Sequence, residues 1–152
     1  PVEVGPLLLG CQSMMASAAE MKGMVIALDL EDESQRVLAS EPHLRKLIMA
    51  LLDNAVKFTP SGGSLGVRVR RAEEGTAVDI EVWDSGIGIA PEDHQRIFEP
   101  FFQLDHDKAR HFEGSGLGLA LGAKLAELLA GSLTVQSALG EGACFTFRCP
   151  AE

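Results

Sequence analysis

The sequence predicts an α+β fold: a two-layer α/β sandwich whose mixed, mostly antiparallel sheet is covered on one face by three helices. Two strand pairs close through glycine-bearing turns, EEG at 73–75 and LGEG at 139–142, which is the pattern of hairpins. Three other segments space their apolar residues as amphipathic helices do. Strands and helices do not alternate steadily, so the all-parallel βαβ class is disfavoured. With 152 residues and no internal repeat or linker-like stretch, residues 1–152 form one domain large enough for a real core.

Taken in order, VEV (2–4) reads as a short edge strand. Pro6 then opens a helix with Leu7, Leu8, Cys11, Met14, Met15 and Ala18 at helical spacing, and Gly23 stops it. MVIALDL (24–30) reads as a buried strand and RVLAS (36–40) as a weaker one. From Glu41 to Phe58 the stripe Leu44, Leu47, Ile48, Leu51, Leu52, Ala55 marks a long helix ended by PSGG. LGVRVRR (65–71) and TAVDIEVWD (76–84) alternate as paired strands. PEDHQRIF (91–98) reads as a short helix with Pro91 in its first turn. The charged stretch that follows has no periodicity. Leu117, Leu121, Leu125, Leu128 and Leu129 mark a last helix closing at Gly131, and SLTVQSA with ACFTFRC forms the final hairpin.

Composition narrows the function. The net charge of −9 disfavours nucleic acid or an anionic membrane as partner. It also makes an anionic substrate awkward unless the site is locally basic or brings a metal. Hydrophobic content of 46% and charged content of 23% are ordinary for a globular protein. No apolar run approaches the ~18 residues that span a bilayer. Cys11, Cys144 and Cys149 form no CxxC and no even framework, as expected of reduced packing cysteines in a cytoplasmic compartment. The abrupt opening at PVEVGP, without a leader pattern, suggests a domain excised from a longer protein.

Three segments carry candidate chemistry. In FEGSGLGLA (112–120) alternate glycines run into a helix whose unpaired amides and positive dipole end suit a phosphate. No Walker lysine follows, and tight helix packing alone would also explain the glycines. In DSGIGIA (84–90) Asp84 ends a strand, where it could accept a hydrogen bond from an exocyclic amine such as that of adenine. Gly86 and Gly88 would let the chain pass close to a flat ring. Asp84 could equally cap a turn. A nicotinamide-dinucleotide turn is disfavoured here, because the sixth position of the G-x-G-x-x-G pattern is missing and no βαβ unit continues. In LLDNAVKF, Asn54 lies beside the apolar stripe, with Lys57 and Phe58 at i+3 and i+4 bordering the same space. Asn54 offers a neutral oxygen suited to Mg²⁺, Lys57 a point charge for phosphate, and Phe58 an apolar wall. A solvated Asn-Lys edge with Phe58 in the core is the alternative.

NAVKFTP, DSGIGIAPED, IFEPFF and EGSGLGLA, in this order, resemble the N, G1, F and G2 boxes of sensor histidine kinases, and LGEGACFTF resembles their closing segment. The resemblance spans essentially the whole chain. It implies the ATP-binding catalytic domain of a two-component kinase in the Bergerat fold shared with DNA gyrase and mismatch-repair ATPases. It further implies that Asn54 is the Mg²⁺ ligand, Lys57 a phosphate contact, Phe58 the aromatic beside the nucleotide and Asp84 the adenine-binding aspartate. Gly86 and Gly88 would form the adenine loop, and Gly114, Ser115, Gly116, Leu117 and Gly118 the phosphate-gripping loop. Residues 99–115 would be a lid over ATP, with Arg110 as its basic residue. The implied cofactors are ATP and Mg²⁺. The implied partners are a phosphoacceptor helical hairpin of the same or a partner kinase chain and, downstream, a response-regulator receiver domain. The resemblance also implies cytoplasmic placement without direct membrane contact, from a parent that could itself be anchored.

Two departures stand out. Ala50 occupies the place where the family usually carries a polar residue four positions before the metal-binding asparagine. In gyrase-like ATPases that place holds the water-activating glutamate, so a self-sufficient hydrolase is disfavoured. None of His43, His94, His106 and His111 lies in an H-box, and each reads as a solvent-facing or lid residue. The chain is thus expected to donate phosphate to a histidine elsewhere, the alternative being a non-catalytic ATP-binding module.

Overall fold

The computed structural model describes residues 1–100 and 118–152. Its centre is a five-stranded sheet built from β2 (Ile26–Leu30), β4 (Leu65–Ala72), β5 (Ala77–Asp84), β6 (Ser132–Ser137) and β7 (Ala143–Pro150). The strand order is β2-β4-β5-β7-β6. Only β2 and β4 run parallel, and the other pairings are antiparallel, so the sheet is mixed and mostly antiparallel as the two hairpins require. A separate two-stranded ladder joins β1 (Val2–Glu3) to β3 (Arg36–Val37).

Three helices cover one face: α1 (Val4–Glu20), α2 (Glu41–Phe58) and α3 (Gly118–Leu128). Contacts with both neighbours place α2 between α1 and α3. Its stripe Leu44, Leu47, Ile48, Leu51, Leu52 and Ala55 is buried as the periodicity demands. Opposite it, the inward residues of the sheet include Val67, Val69, Ile80, Val82, Phe145 and Phe147, all buried. Burial on this scale, at roughly 1.5–3 kcal/mol for each large apolar side chain, is the main force holding the two layers together. Gly122 of α3 is buried facing Leu47 of α2.

The opposite face of the sheet is largely polar and, among the described residues, carries no helix. Asp79 accepts two hydrogen bonds from Arg148, at 2.7 and 2.9 Å, while Arg68 and Arg70 lie 3.6 and 3.8 Å from Glu81. The Arg148–Asp79 pair is doubly hydrogen-bonded across the strands, whereas Arg68 Nε is buried beside Glu81 without a hydrogen-bond partner.

Several expectations shift. MVIALDL gives an edge strand of which only Ile26 is fully buried, because β2 pairs with β4 alone. RVLAS shrinks to two residues. In α1 the buried line runs Val4, Leu8, Cys11, Met15, Ala19, which leaves Met14 63% exposed. PEDHQRIF forms two single 3₁₀ turns, Pro91–Asp93 and Arg96–Phe98, instead of one helix. Its turns are closed by the i→i+3 bonds His94 N–H to Pro91 O and Glu99 N–H to Arg96 O. In α3, Leu125 and Leu129 are buried but Leu121 and Leu128 are 49% and 61% exposed. The glycine and alanine at 122 and 126 take the inward positions instead. Cys11 and Cys149 are buried and all three cysteines are free thiols, in keeping with packing roles.

Candidate functional site

Two of the three candidate segments, DSGIGIA and LLDNAVKF, are brought to one corner, where β5 and α2 both end. Asp84 is the last residue of β5 and lies in register with Leu65 on one side and Ala143 on the other. That row points toward the helical layer, so the carboxylate is drawn inward and is only 8% exposed. Its Oδ1 accepts the Gly86 amide N–H at 2.8 Å. Burial raises the carboxyl above the ordinary aspartate range, and the Gly86 and Ala143 amides offset only part of that. The turn-cap and ligand-binding possibilities are therefore compatible. One oxygen caps the turn, and an ionised carboxylate retains acceptor capacity for a further donor.

Gly86 and Gly88 serve backbone packing within the protein. A Cβ on Gly86 would strike the Phe58 carbonyl oxygen, and one on Gly88 would strike the Ala138 carbonyl oxygen. Gly88 also has φ +74°, a conformation that side chains rarely tolerate. The closeness is used: Ile87 N–H donates to Phe58 O at 3.2 Å, and Gly140 N–H donates to Ile87 O at 2.8 Å. Ile89 N–H donates to Ser137 Oγ at 2.8 Å, and that hydroxyl donates to Gly142 O at 2.5 Å. Segment 84–90 is thus held between the end of α2 and the β6–β7 turn.

The last carbonyls of α2 are all occupied. Thr59 Oγ1 donates to Ala55 O at 2.6 Å, Lys22 Nζ to Val56 O at 2.7 Å and Lys57 O at 3.3 Å, and Ile87 N–H to Phe58 O. This end of the helix cannot fray without breaking contacts to three other parts of the chain. Asn54 and Phe58 are half-buried on the flank next to that end. Lys57 is drawn to Asp53, Nζ to Oδ2 2.9 Å, with the two side chains 40% and 51% exposed. Asp53 escaped the sequence reading, although its i,i+4 spacing from Lys57 was the signal. Ala50, one turn before Asn54, contributes no ligand atom.

Among the described residues no group of three or more His, Cys, Asp and Glu side chains could hold an ion. The half-buried Asn54 amide offers a neutral oxygen of the kind Mg²⁺ accepts when phosphates and water fill its other positions.

Arg110, Gly114, Ser115, Gly116 and Leu117, and the expected lid apart from Glu99 and Pro100, lie outside the described residues. Gly118 is the exposed first residue of α3. His43 is half-exposed, and so is His94, whose Nε2 lies 3.1 Å from Ile89 O and so contacts the same loop. Residues 91–98 form 3₁₀ turns and not the α-helix that a nicotinamide-dinucleotide turn would open directly after its strand. No described helix is long and apolar enough to cross a membrane.

Comparison with known proteins agrees with the fold. The sequence profile of the "Histidine kinase-, DNA gyrase B-, and HSP90-like ATPase" family matches residues 39–152. An uncharacterised sensor-like histidine kinase of Rhizobium meliloti is 34% identical over the whole chain, which covers 29% of that protein. Sensor histidine kinase YcbM of Bacillus subtilis is 36% identical over 129 residues, 85% of this chain and 41% of YcbM. The chain thus spans well under half the length of these relatives. Full-length ShkA, solved in complex with AMPPNP, superposes with a TM-score of 0.86 at 36% identity, over 99% of this chain and 30% of ShkA. The nucleotide-free catalytic domain of ThkA shares the fold with a TM-score of 0.83 at 23% identity, over 98% of this chain and 93% of that domain.

Proposed function

The chain belongs to the histidine kinase-, DNA gyrase B- and HSP90-like ATPase family, and from that premise we propose that it is the ATP-binding catalytic domain of a sensor histidine kinase. It binds Mg·ATP and donates the γ-phosphoryl group to a histidine on an adjacent phosphoacceptor hairpin. A response-regulator receiver domain would take the group onward. The observation that carries this reading is the buried, incompletely compensated Asp84 carboxylate on a loop tied directly to the helix that bears Asn54.

Each residue has a physical task. Asp84 accepts the exocyclic amine of adenine, and that added N–H supplies compensation which burial leaves the carboxylate lacking. Phe58 offers an apolar wall to the ring. Lys57 turns from Asp53 toward phosphate oxygens, exchanging one exposed ion pair for another at little cost. Asn54 holds the magnesium ion, which neutralises phosphate charge when bound. The amides of the 114–118 loop and Arg110 are assigned to the phosphates on motif grounds. In the transfer the bond from the γ-phosphorus to the ADP oxygen breaks and a phosphorus–nitrogen bond to the acceptor imidazole forms. Positioning and charge stabilisation are what the domain contributes.

The kinase names of the relatives support catalysis, whereas a non-catalytic module has only Ala50 in its favour. The test adds the parent's own hairpin and labelled ATP, with Asn54→Ala as control. Label on a hairpin histidine that the control lacks supports the proposal. Tight, magnesium-independent ATP binding without label transfer contradicts it.

A further inference from the structure

We propose that Lys22 is a positioning residue of this nucleotide site: by clamping the carboxyl end of α2 it fixes the adenine loop that hangs from the same end. The inference rests on the nucleotide-binding reading above and assigns a role to a residue outside the segment that the family profile matches, residues 39–152.

Lys22 is itself held rigidly. It sits where α1 ends in a left-handed turn: Gly23 has φ +69°, Met24 N–H donates to Ala19 O, and Gly23 N–H donates to Glu20 O, both at 2.9 Å. This double bond pattern is a Schellman motif, which fixes the direction of the chain leaving the helix. From that anchor Lys22 reaches across more than thirty residues of sequence. Its Nζ donates to Val56 O and Lys57 O, and its carbonyl accepts the Gly62 amide at 2.7 Å. One residue therefore grips both the end of α2 and the turn that follows it.

The grip is transmitted to the loop by short steps. The next carbonyl along α2, that of Phe58, receives Ile87 N–H. Beyond the Gly62 turn, Ser64 N–H donates to Ser85 Oγ and Ser85 N–H donates to Ser64 O, each at 2.9 Å. Asp84 and Gly86 flank Ser85. Losing the Lys22 ammonium contacts would loosen the end of α2 that anchors Ile87, three residues after the aspartate, while the backbone bond from Gly62 to the Lys22 carbonyl remains.

Charge gives a second reason. The carboxyl end of a helix carries about half a negative charge, an unfavourable neighbour for an anionic ligand. The protein as a whole has net charge −9, and Lys57 is already paired with Asp53. An ammonium set on the α2 carbonyls offsets that local negative potential where the ligand must approach. Partial burial pulls Lys22 below the ordinary lysine range.

The test compares Lys22→Met, which keeps the aliphatic stem, with Lys22→Arg, which keeps the charge. Mg·AMPPNP affinity is measured by calorimetry well below each variant's melting temperature. Amide hydrogen exchange is followed in the nucleotide-free protein. Lys22→Met should weaken binding at least about fivefold, the loss of a charge-assisted hydrogen bond. Lys22→Arg should restore affinity to within about twofold, since the donor and charge return. The Ile87 amide should exchange at least about tenfold faster in Lys22→Met than in the wild type, while Val82 in mid-strand is unaffected, as expected of local opening. Unchanged Ile87 exchange in a folded Lys22→Met protein overturns the proposal, whatever the nucleotide result. Should Lys22→Met fail to fold, Lys22→Gln is measured in its place against the same criteria. Absence of binding by the wild type would refute the nucleotide reading while the exchange comparison still decides the role of Lys22.

Discussion

Replacing Asp84 by Asn separates the carboxylate's ligand role from its part in folding. The substitution keeps shape and can keep an oxygen toward the Gly86 amide, now 2.8 Å from Oδ1. What it removes is the charge, and it sets an NH₂ where a second acceptor stood. Losing one charge-assisted hydrogen bond to adenine costs about 1–3 kcal/mol, or about 5- to 150-fold in Kd. Folding responds in the other direction. Burial raises the Asp84 carboxyl above its unfolded value. For an acid with a raised folded pKa, the native state holds the proton more tightly. Stability contributed by this group is therefore greatest in acid and is lost as pH rises through the unfolded and then the folded pKa. At neutral pH the ionised carboxylate is a net cost to the fold. Asp84→Asn should melt at the same temperature as the wild type or higher, and should lack that part of the wild type's loss of stability between acid and neutral pH. Calorimetric titration with Mg·AMPPNP, paired with melts at several pH values, reads both effects. An Asn variant that is folded and binds within about twofold of the wild type would refute the adenine assignment.

Other perturbations bear on different parts of the account. Lys57→Met should leave stability within about 0.5 kcal/mol, since the ion pair to Asp53 is exposed, yet lower Mg·AMPPNP affinity severalfold; equal losses in both would point to a structural lysine. Gly88→Ala forces a Cβ onto the Ala138 carbonyl at positive φ and should cost at least about 1–3 kcal/mol, visible as a lower denaturant midpoint at unchanged slope. Chelating magnesium should weaken ATP binding in the wild type but not in Asn54→Ala, as measured by the ratio of affinities with and without the ion. Cys149, pushed up to about 12 by burial and then by Asp79, should stay unlabelled by a maleimide at pH 7.5 until the protein is denatured. Rapid labelling of Cys149 in the native protein would contradict its place in the core.

Long-period patterns made the architecture legible. The α2 stripe and the two hairpins predicted their elements because periodicity and glycine turns are local signals. Local reasoning failed where tertiary context decides. β2 is rich in apolar residues but lies at the sheet edge, and in α3 Leu125 shares the inward face with Gly122 and Ala126 while Leu121 and Leu128 point outward. In the candidate site, the motif residues Asn54, Lys57, Phe58, Asp84, Gly86 and Gly88 were visible from type and spacing. Their supports were not: Lys22 and Ser137 act over separations of 34 and 48 residues, which no window on the sequence reports. The glycines were expected to make room for a ring, yet they already make room for the carbonyls of Phe58 and Ala138. Histidine 94, read as solvent-facing, contacts the Ile89 carbonyl because the segment after β5 folds back in 3₁₀ turns.

The central claim is that one pocket receives adenine at the end of β5 and magnesium-bound phosphates along the flank of α2. An amide-resolved NMR titration of the wild-type chain with Mg·AMPPNP tests it most directly. The account predicts saturable shifts concentrated in 54–58 and 84–90, with adenosine alone moving only the second group. Shifts confined to the opposite end of the sheet, around Thr76 and Arg148, or no shifts at saturating nucleotide, would contradict it.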